Sequence, residues 1–146
     1  MTSGEEKISL LKAIKEAASD RAEVPKLTLG YTVAMLAFGL LIVREYDDAW
    51  SIIGFLAAIS VVCLLVAAAS LALRVTSLKN IETLGAKEMF EGRLPDPESA
   101  EYQRQLGEYR SHYRMSGRIG LPAFSGGTIL LAVTTLVIVS YHLVKQ

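Results

Sequence analysis

Three long stretches of this 146-residue sequence contain no Asp, Glu, Lys or Arg: Leu27–Val43, Ser51–Leu73 and Leu121–Val144. All fifteen basic and all fifteen acidic residues lie outside these stretches. Uncharged apolar runs of roughly 17–25 residues match the length that a helix needs to cross a hydrocarbon core of about 30 Å. The pattern excludes an ordinary soluble globule, a disordered chain and a disulfide-rich secreted domain.

Cysteine and histidine are also scarce. The single cysteine, Cys63, lies within the second apolar run, so the chain cannot build an internal disulfide or a Cys-x-x-Cys site from it. The two histidines are His112, which precedes the third apolar run, and His142, which lies at its far end. Because a membrane would separate them, they cannot share a metal ion within one chain. We therefore predict no metal site and no cofactor.

The three apolar runs are predicted to be helices. Strands of a membrane barrel would alternate apolar and polar side chains over about ten residues, whereas these runs are continuously apolar. The sequence thus predicts an all-α integral membrane protein, a single membrane domain over 1–146, with transmembrane helices TM1 at 27–43, TM2 at 51–73 and TM3 at 121–144. Acidic residues interrupt the first 26 positions, so we expect no cleaved signal peptide there.

The distribution of basic residues predicts the orientation. Lys and Arg near the ends of spans favour the cytoplasmic side. Five lie in segment 1–26 and eight in the loop 74–120, whereas the other side has Arg44 and Lys145. We predict an inner or plasma membrane location, with the N-terminus and long loop cytoplasmic and the C-terminus outside. The aromatic residues Tyr46, Trp50 and Tyr141 would then lie at the outer interface.

Segment 1–26 is predicted to form a cytoplasmic amphipathic helix. Its apolar residues recur at steps of three or four, and Pro25 is expected to end the helix. Because the segment's basic and acidic charges balance, attraction to anionic lipid should be weak. We therefore favour packing on the cytoplasmic loop over attachment to the inner leaflet. The apolar positions are Ile8, Leu11, Ile14 and Ala18.

The loop 74–120 is predicted to form a cytoplasmic helical hairpin. Its first helix continues from TM2 and is expected to end at Gly92. A second helix is expected to begin at Asp96–Glu98, since Asp, Pro and Glu are typical of an N-cap, a first helical position and an acidic first turn. It should run close to Gly117–Pro122, where glycine and proline permit a kink at the membrane boundary.

One face of the second hairpin helix is aromatic and is our candidate cytoplasmic docking face. Arginines occupy its other faces, and Arg114 and Arg118, close to the membrane, are predicted to contact lipid headgroups. Glutamates interleave with the arginines, so we expect no nucleic-acid binding and favour packing of the aromatic side chains on the partner helix. The docking face consists of Tyr102, Leu106, Tyr109 and Tyr113.

Small and hydroxyl-bearing residues form ridges along the predicted spans. Small residues four apart let helix backbones approach closely, so these ridges are typical of helix packing. The alternative is that the ridge of TM3 lines a pore formed by several subunits, because hydroxyls and apolar constrictions can suffice for selectivity and gating. The predicted helix-packing or pore-facing residues are Gly30, Ala34, Ser60, Ala67, Ser70, Ser125, Thr128, Ala132 and Thr135.

Two classes of function are disfavoured. No span contains an ionisable Asp, Glu, Lys or Arg of the kind that proton-coupled transporters retain. No serine in a span has a base and an orienting group at a common depth, except that His142 could serve Ser140 near the surface, so we predict no enzymatic activity and no catalytic residues.

The pattern favours an accessory or scaffold subunit of a membrane complex, whose spans pack on partner subunits or on further copies and whose cytoplasmic helices dock a partner. A homo-oligomeric pore or channel-like effector is the alternative. A third possibility is a transporter-like or enzymatic subunit that another chain completes.

Overall fold

The computed structural model describes residues 4–46 and 52–144, and the regular elements in both ranges are helices. They are α1 (Gly4–Glu45), α2 (Ile52–Thr83), α3 (Ala86–Phe90) and α4 (Ala100–Val144). Three helices, α1, α2 and α4, are long and apolar enough to cross a membrane. This confirms the prediction of an all-α chain with three such helices. Trp50, Ser51 and Lys145, which entered the predictions, lie outside the described residues.

Both long helices that contain proline continue through it. α1 contains Pro25 and α4 contains Pro122. A proline inside a helix removes one backbone hydrogen bond and crowds the carbonyl four residues earlier, at a cost of about 3 kcal/mol. The expectation that Pro25 ends a helix was wrong. Buried side chains on both sides of it, Ala22 before and Thr32 after, favour continuation of the helix.

The connection between α2 and α4 differs in detail from the sequence pattern. α2 ends at Thr83, and Gly85 adopts a φ of 79°, so Gly85 rather than Gly92 follows its end. Gly92, with a φ of 74°, follows the short α3. The cap of α4 is Ser99, whose Oγ accepts a hydrogen bond from the backbone N–H of Tyr102 at 3.2 Å.

The expected cap, Asp96, instead stabilises the turn before α4. Its carboxylate accepts a hydrogen bond from the backbone N–H of Glu98 at 3.3 Å, and its carbonyl accepts one from the N–H of Ser99 at 3.1 Å. Aspartate commonly bonds the backbone two residues ahead in such turns. The helix therefore begins one turn later than the sequence pattern indicated.

The chain divides into two compact units. Unit 1 consists of Met1–Leu27 and Ala72–Ser116, and it contains 24 of the 30 charged residues. Its buried core combines side chains from the beginning of α1, the end of α2 and the beginning of α4. The core residues are Leu11, Ala18, Ala22, Leu78, Ile81, Leu84, Tyr102 and Leu106.

Unit 2 consists of Thr28–Leu71 and Gly117–Gln146. Its described part is three helical segments packed around Ile42, Ala57, Leu64 and Leu131. In α1 and α4, only 17% of the most apolar 18-residue stretch is buried. The apolar side chains around the outside need a nonaqueous environment, because exposed apolar area of this extent is unfavourable in water. Helices of this length and composition are typical of those that cross a lipid bilayer.

Candidate functional site

The predicted ridge of TM2 lies in the interior of unit 2. Ser60 and Ala67 have no exposed surface and Ser70 is 7% exposed. The Ser60 hydroxyl donates a 2.8 Å hydrogen bond to the backbone carbonyl of Gly127 in α4. A Cβ atom added to Gly127 would lie 2.9 Å from Cγ of Leu64. The small residues therefore bring the backbones of α2 and α4 into close contact within one chain.

The predicted small residues of α1 and α4 lie on the outside of unit 2. Gly30, Ala34, Ser125 and Ala132 are exposed. A Cβ atom added to Gly30 would meet nothing within 4 Å among the described residues. The structure thus separates the predicted set into an internal ridge on α2 and external positions on α1 and α4.

The two predicted threonines of α4 are half-buried and bond to their own helix. Thr128 donates to the carbonyl of Phe124 and Thr135 to the carbonyl of Leu131, both at 2.8 Å. A threonine that back-bonds in this way uses its hydroxyl proton inside the helix. The Thr128 hydroxyl also lies 3.5 Å from the Sδ atom of Met35 in α1.

Sequence reasoning missed the most deeply buried threonines. Thr32 of α1 and Thr134 of α4 have no exposed surface, and each donates a 2.7 Å hydrogen bond to the carbonyl four residues earlier. Thr134 follows Gly120 and Gly127 at intervals of seven residues, and the structure buries all three. Residues seven positions apart lie two turns apart on the same face of a helix, so this interval could have identified the inward face of α4 from the sequence.

The predicted docking face is partly covered by the chain itself. Tyr102 and Leu106 are 6% and 2% exposed within the core of unit 1, and Tyr109 and Tyr113 pack against that core from its edge. Leu11 of α1 and Leu78 of α2 belong to the same cluster. The aromatic face of α4 thus joins the N-terminal helix to the end of α2 inside unit 1.

Arg74 and Tyr113 form both a hydrogen bond and a cation–π contact within unit 1. The Arg74 Nη2 donates a 2.7 Å hydrogen bond to the Tyr113 hydroxyl, and its Cζ lies 4.1 Å from the centre of the Tyr113 ring. A guanidinium above an aromatic ring is attracted by the negative face of the ring. Tyr113 therefore holds a positive charge at a fixed place in unit 1.

The arginines predicted to meet lipid headgroups are exposed. Arg114 and Arg118 lie one turn apart on α4, and neither forms an ion pair with any residue that the structure describes. Arg104, by contrast, pairs with Glu101 at 2.9 Å. Contact of Arg114 and Arg118 with lipid phosphate stays a prediction.

Asp96 and Tyr102 are among the groups of unit 1 whose pKa values are shifted. The Lys7 ammonium, 3.0 Å from Asp96, lowers the pKa of that carboxyl below 3.8, and the backbone N–H of Glu98 acts in the same direction. Burial raises the pKa of Tyr102 above 10.0, and the Arg110 charge partly opposes this shift. The Tyr102 hydroxyl has no hydrogen-bond partner among the described residues.

The histidines lie in different units and do not converge. His142 Nε2 lies 3.2 Å from the Tyr46 hydroxyl in unit 2, and His112 is exposed in unit 1. In residues 4–46 and 52–144, no three His, Cys, Asp or Glu side chains are grouped as ligands for a metal ion.

Comparisons of the chain with protein-family models, with curated proteins and with solved structures found no match. The class of protein is therefore defined by the chain's own geometry. It is an all-helical protein with three helices that are long and apolar enough to cross a membrane, arranged in two compact units.

Proposed function

We propose that the protein is a non-enzymatic, three-span integral membrane protein that serves as an accessory or scaffold subunit of a membrane complex. In this proposal α1, α2 and α4 cross an inner or plasma membrane. The charged residues of unit 1 face the cytoplasm, and the C-terminus lies outside, because basic residues favour the cytoplasmic side.

The external small-residue face of α1 carries the proposal. At about 100° per residue, Gly30, Ala34 and Ala37 fall within about 60° of one another around the helix axis. All three are exposed, whereas Thr32 and Gly39 on roughly the opposite side are buried. The inner contacts of α1 are therefore made by other residues. A face of small residues allows a second transmembrane helix to approach closely, so we assign it to a partner subunit.

The hydrogen bonding of α4 favours packing over a hydroxyl-lined pore. Thr128, Thr134 and Thr135 each donate to a carbonyl of their own helix. Their protons are thus not directed outward, and the surface that Thr128 and Thr135 offer to a neighbour is suited to van der Waals contact. The homo-oligomeric pore remains the competing function, and the number of copies distinguishes it.

The test is native mass spectrometry of protein gently extracted from its own membranes, comparing the unchanged chain with Gly30→Leu/Ala34→Leu. We expect a fixed complement of other membrane proteins, whose retention falls about tenfold in the double variant because the helices can no longer approach. Its thermal unfolding should stay close to that of the unchanged chain, since nothing in the described structure lies within 4 Å of a Cβ at Gly30.

Leu40→Phe is the matched control. It also enlarges an exposed position of α1, about 90° around the helix axis from the centre of the small-residue face, and it should retain the partners. Equal retention in all three proteins would contradict the scaffold proposal. A closed ring of identical copies without partners would favour the pore, and ion flux through liposomes containing the purified protein would then be measured.

The orientation has its own test in a Cys63→Ser background. A cysteine introduced at Asp47, which lies outside the described residues, should react with a membrane-impermeant thiol reagent added from outside intact cells. A cysteine at Glu98, which is exposed in unit 1, should react only after the cells are opened. The reverse pattern would contradict the proposed orientation.

A further inference from the structure

A surface cavity of about 260 Å³ lies within unit 1, and the proposed scaffold role does not use it. Its apolar wall includes Ile14 of α1 with Leu78 and Ile81 of α2, together with alanines of α1. Its polar wall consists of Arg21 of α1 with Arg110 and Tyr113 of α4. We propose that this cavity binds an amphiphilic phosphate: a phosphate group held by the two arginines, with the first carbons of an attached chain against the apolar wall.

Within the part of the chain that the structure describes, the two arginines of the cavity are not paired with acidic side chains. Arg21 and Arg110 are exposed, and neither forms an ion pair with any residue in 4–46 or 52–144. The sequence explains why, since neither arginine has an acidic residue three or four positions away on its helix. Elsewhere in unit 1, Lys12 pairs with Glu16 and Arg104 with Glu101 at these spacings.

Two further arginines add positive charge next to this cavity. Arg114 follows Arg110 by one helical turn, and like charges at this spacing destabilise a helix. Arg74 is hydrogen-bonded to Tyr113, which itself lines the cavity. A bound anion would offset the repulsion along α4 and would meet a positive charge that is already held in place.

The shape and composition of the cavity select the chemical class of the ligand. Guanidinium groups bind phosphate through paired, charge-assisted hydrogen bonds, and two arginines from different helices can hold one phosphate between them. A purely hydrophilic anion is not the best fit to the apolar wall. Contact of a hydrocarbon chain with Ile14, Leu78 and Ile81 removes apolar surface from water, which is favourable. The volume, slightly below the usual range of about 300–1,000 Å³, suits a headgroup with a short piece of chain.

The test uses the full-length protein in a neutral detergent and native mass spectrometry to measure three probes: dioctanoyl phosphatidic acid, octyl phosphate and inorganic phosphate. We expect saturable binding of at least one amphiphilic probe. Arg21→Gln/Arg110→Gln should weaken that binding by at least about tenfold. Lys12→Gln/Arg104→Gln removes the same charge from the same two helices outside the cavity and should change it by less than about twofold.

Tighter binding of the diacyl lipid than of octyl phosphate identifies a membrane lipid as the source, and equal binding identifies a soluble phosphate ester. Inorganic phosphate alone, no saturable binding, or equal weakening in both double variants would overturn the proposal. A further variant, Ala17→Leu, keeps both arginines and occupies cavity space, so it should also weaken binding if the cavity is the site. Retention of full affinity in that variant would equally overturn the proposal.

Discussion

Gly126 and Gly127 are neighbours in the sequence with opposite surroundings. A Cβ at Gly127 would lie 2.9 Å from Cγ of Leu64 and 3.2 Å from Cβ of Cys63, whereas a Cβ at Gly126 would meet nothing within 4 Å among the described residues. At Gly127 the helices α2 and α4 therefore lie too close for a side chain, as they also do at Gly120, where an added Cβ would lie 2.9 Å from Cβ of Ser70. Only glycine fits at position 127 without displacement of Leu64.

We predict that alanine has opposite effects at these two positions. Gly127→Ala should destabilise the protein by about 1–3 kcal/mol, because it overpacks the contact with Leu64. Gly126→Ala should stabilise it by about 0.5–1 kcal/mol, since alanine favours a helix more than glycine does. Thermal unfolding in detergent, followed by circular dichroism, measures both changes. A stabilising Gly127→Ala would show that α2 and α4 do not approach as described.

At the scale of the elements, the segment between α2 and α4 depends on two glycines with positive φ. Gly85 also packs against Pro95, whose Cγ would lie 2.7 Å from an added Cβ, whereas Gly92 has open space around it in the described structure. Conformation and packing therefore both restrict Gly85, while conformation alone restricts Gly92.

We predict a graded response to alanine in this segment. Gly92→Ala should cost about 1 kcal/mol from backbone strain, and Gly85→Ala should cost more, about 2–4 kcal/mol, because the clash with Pro95 is added. The free energy of unfolding of unit 1, followed by hydrogen exchange at Leu78 and Leu106, is the measurement. Equal costs at the two glycines would contradict the described packing of Pro95.

At the scale of the whole molecule, one ion pair in unit 1 joins two residues that are far apart in the sequence. Lys7 and Asp96 are 89 residues apart in the sequence, and their charged atoms lie 3.0 Å apart. Because Lys7 lowers the pKa of Asp96 below 3.8, the contact stabilises the fold fully above pH 3.8. This contribution is lost as the pH falls through the lower folded-state pKa.

We therefore predict an acid-dependent difference between the unchanged chain and two variants. Asp96→Asn and Lys7→Gln should each lower the unfolding temperature at pH 6 and should each show a smaller decrease on acidification from pH 5 to pH 3. Thermal unfolding across this range tests the prediction. The same pH dependence in all three proteins would mean that Lys7 and Asp96 do not interact in solution.

The all-helical architecture with three long apolar helices could be predicted, because long apolar runs without charged residues are a strong signal of such helices. Three long apolar helices were predicted, and three helices long and apolar enough to cross a membrane are present. Details of the helix ends could not be predicted. Pro25 and Asp96 have strong local preferences that packing of Ala22 and capping by Ser99 override.

The candidate site was predictable only in part, for a physical reason. Small residues mark a close helix contact without indicating whether the neighbouring helix belongs to the same chain. Ser60 and Ala67 proved internal, whereas Gly30 and Ala34 are external. The cavity between Arg21 and Arg110 requires two residues 89 positions apart, and no sequence spacing relates them.

Both compact units are discontinuous in the sequence, and this determines when each can fold during synthesis. Unit 1 requires Tyr102 and Leu106 to complete its core, and unit 2 requires Leu131. Chains are made at about 5–20 residues per second, so the ribosome completes α1 and α2 several seconds before α4. During that interval Leu11 and Ala18 cannot pack in a complete core, because Tyr102 and Leu106 have not yet been made. The nascent chain is thus most vulnerable to aggregation and proteolysis before α4 is made, and the synthesis of α4 completes both units.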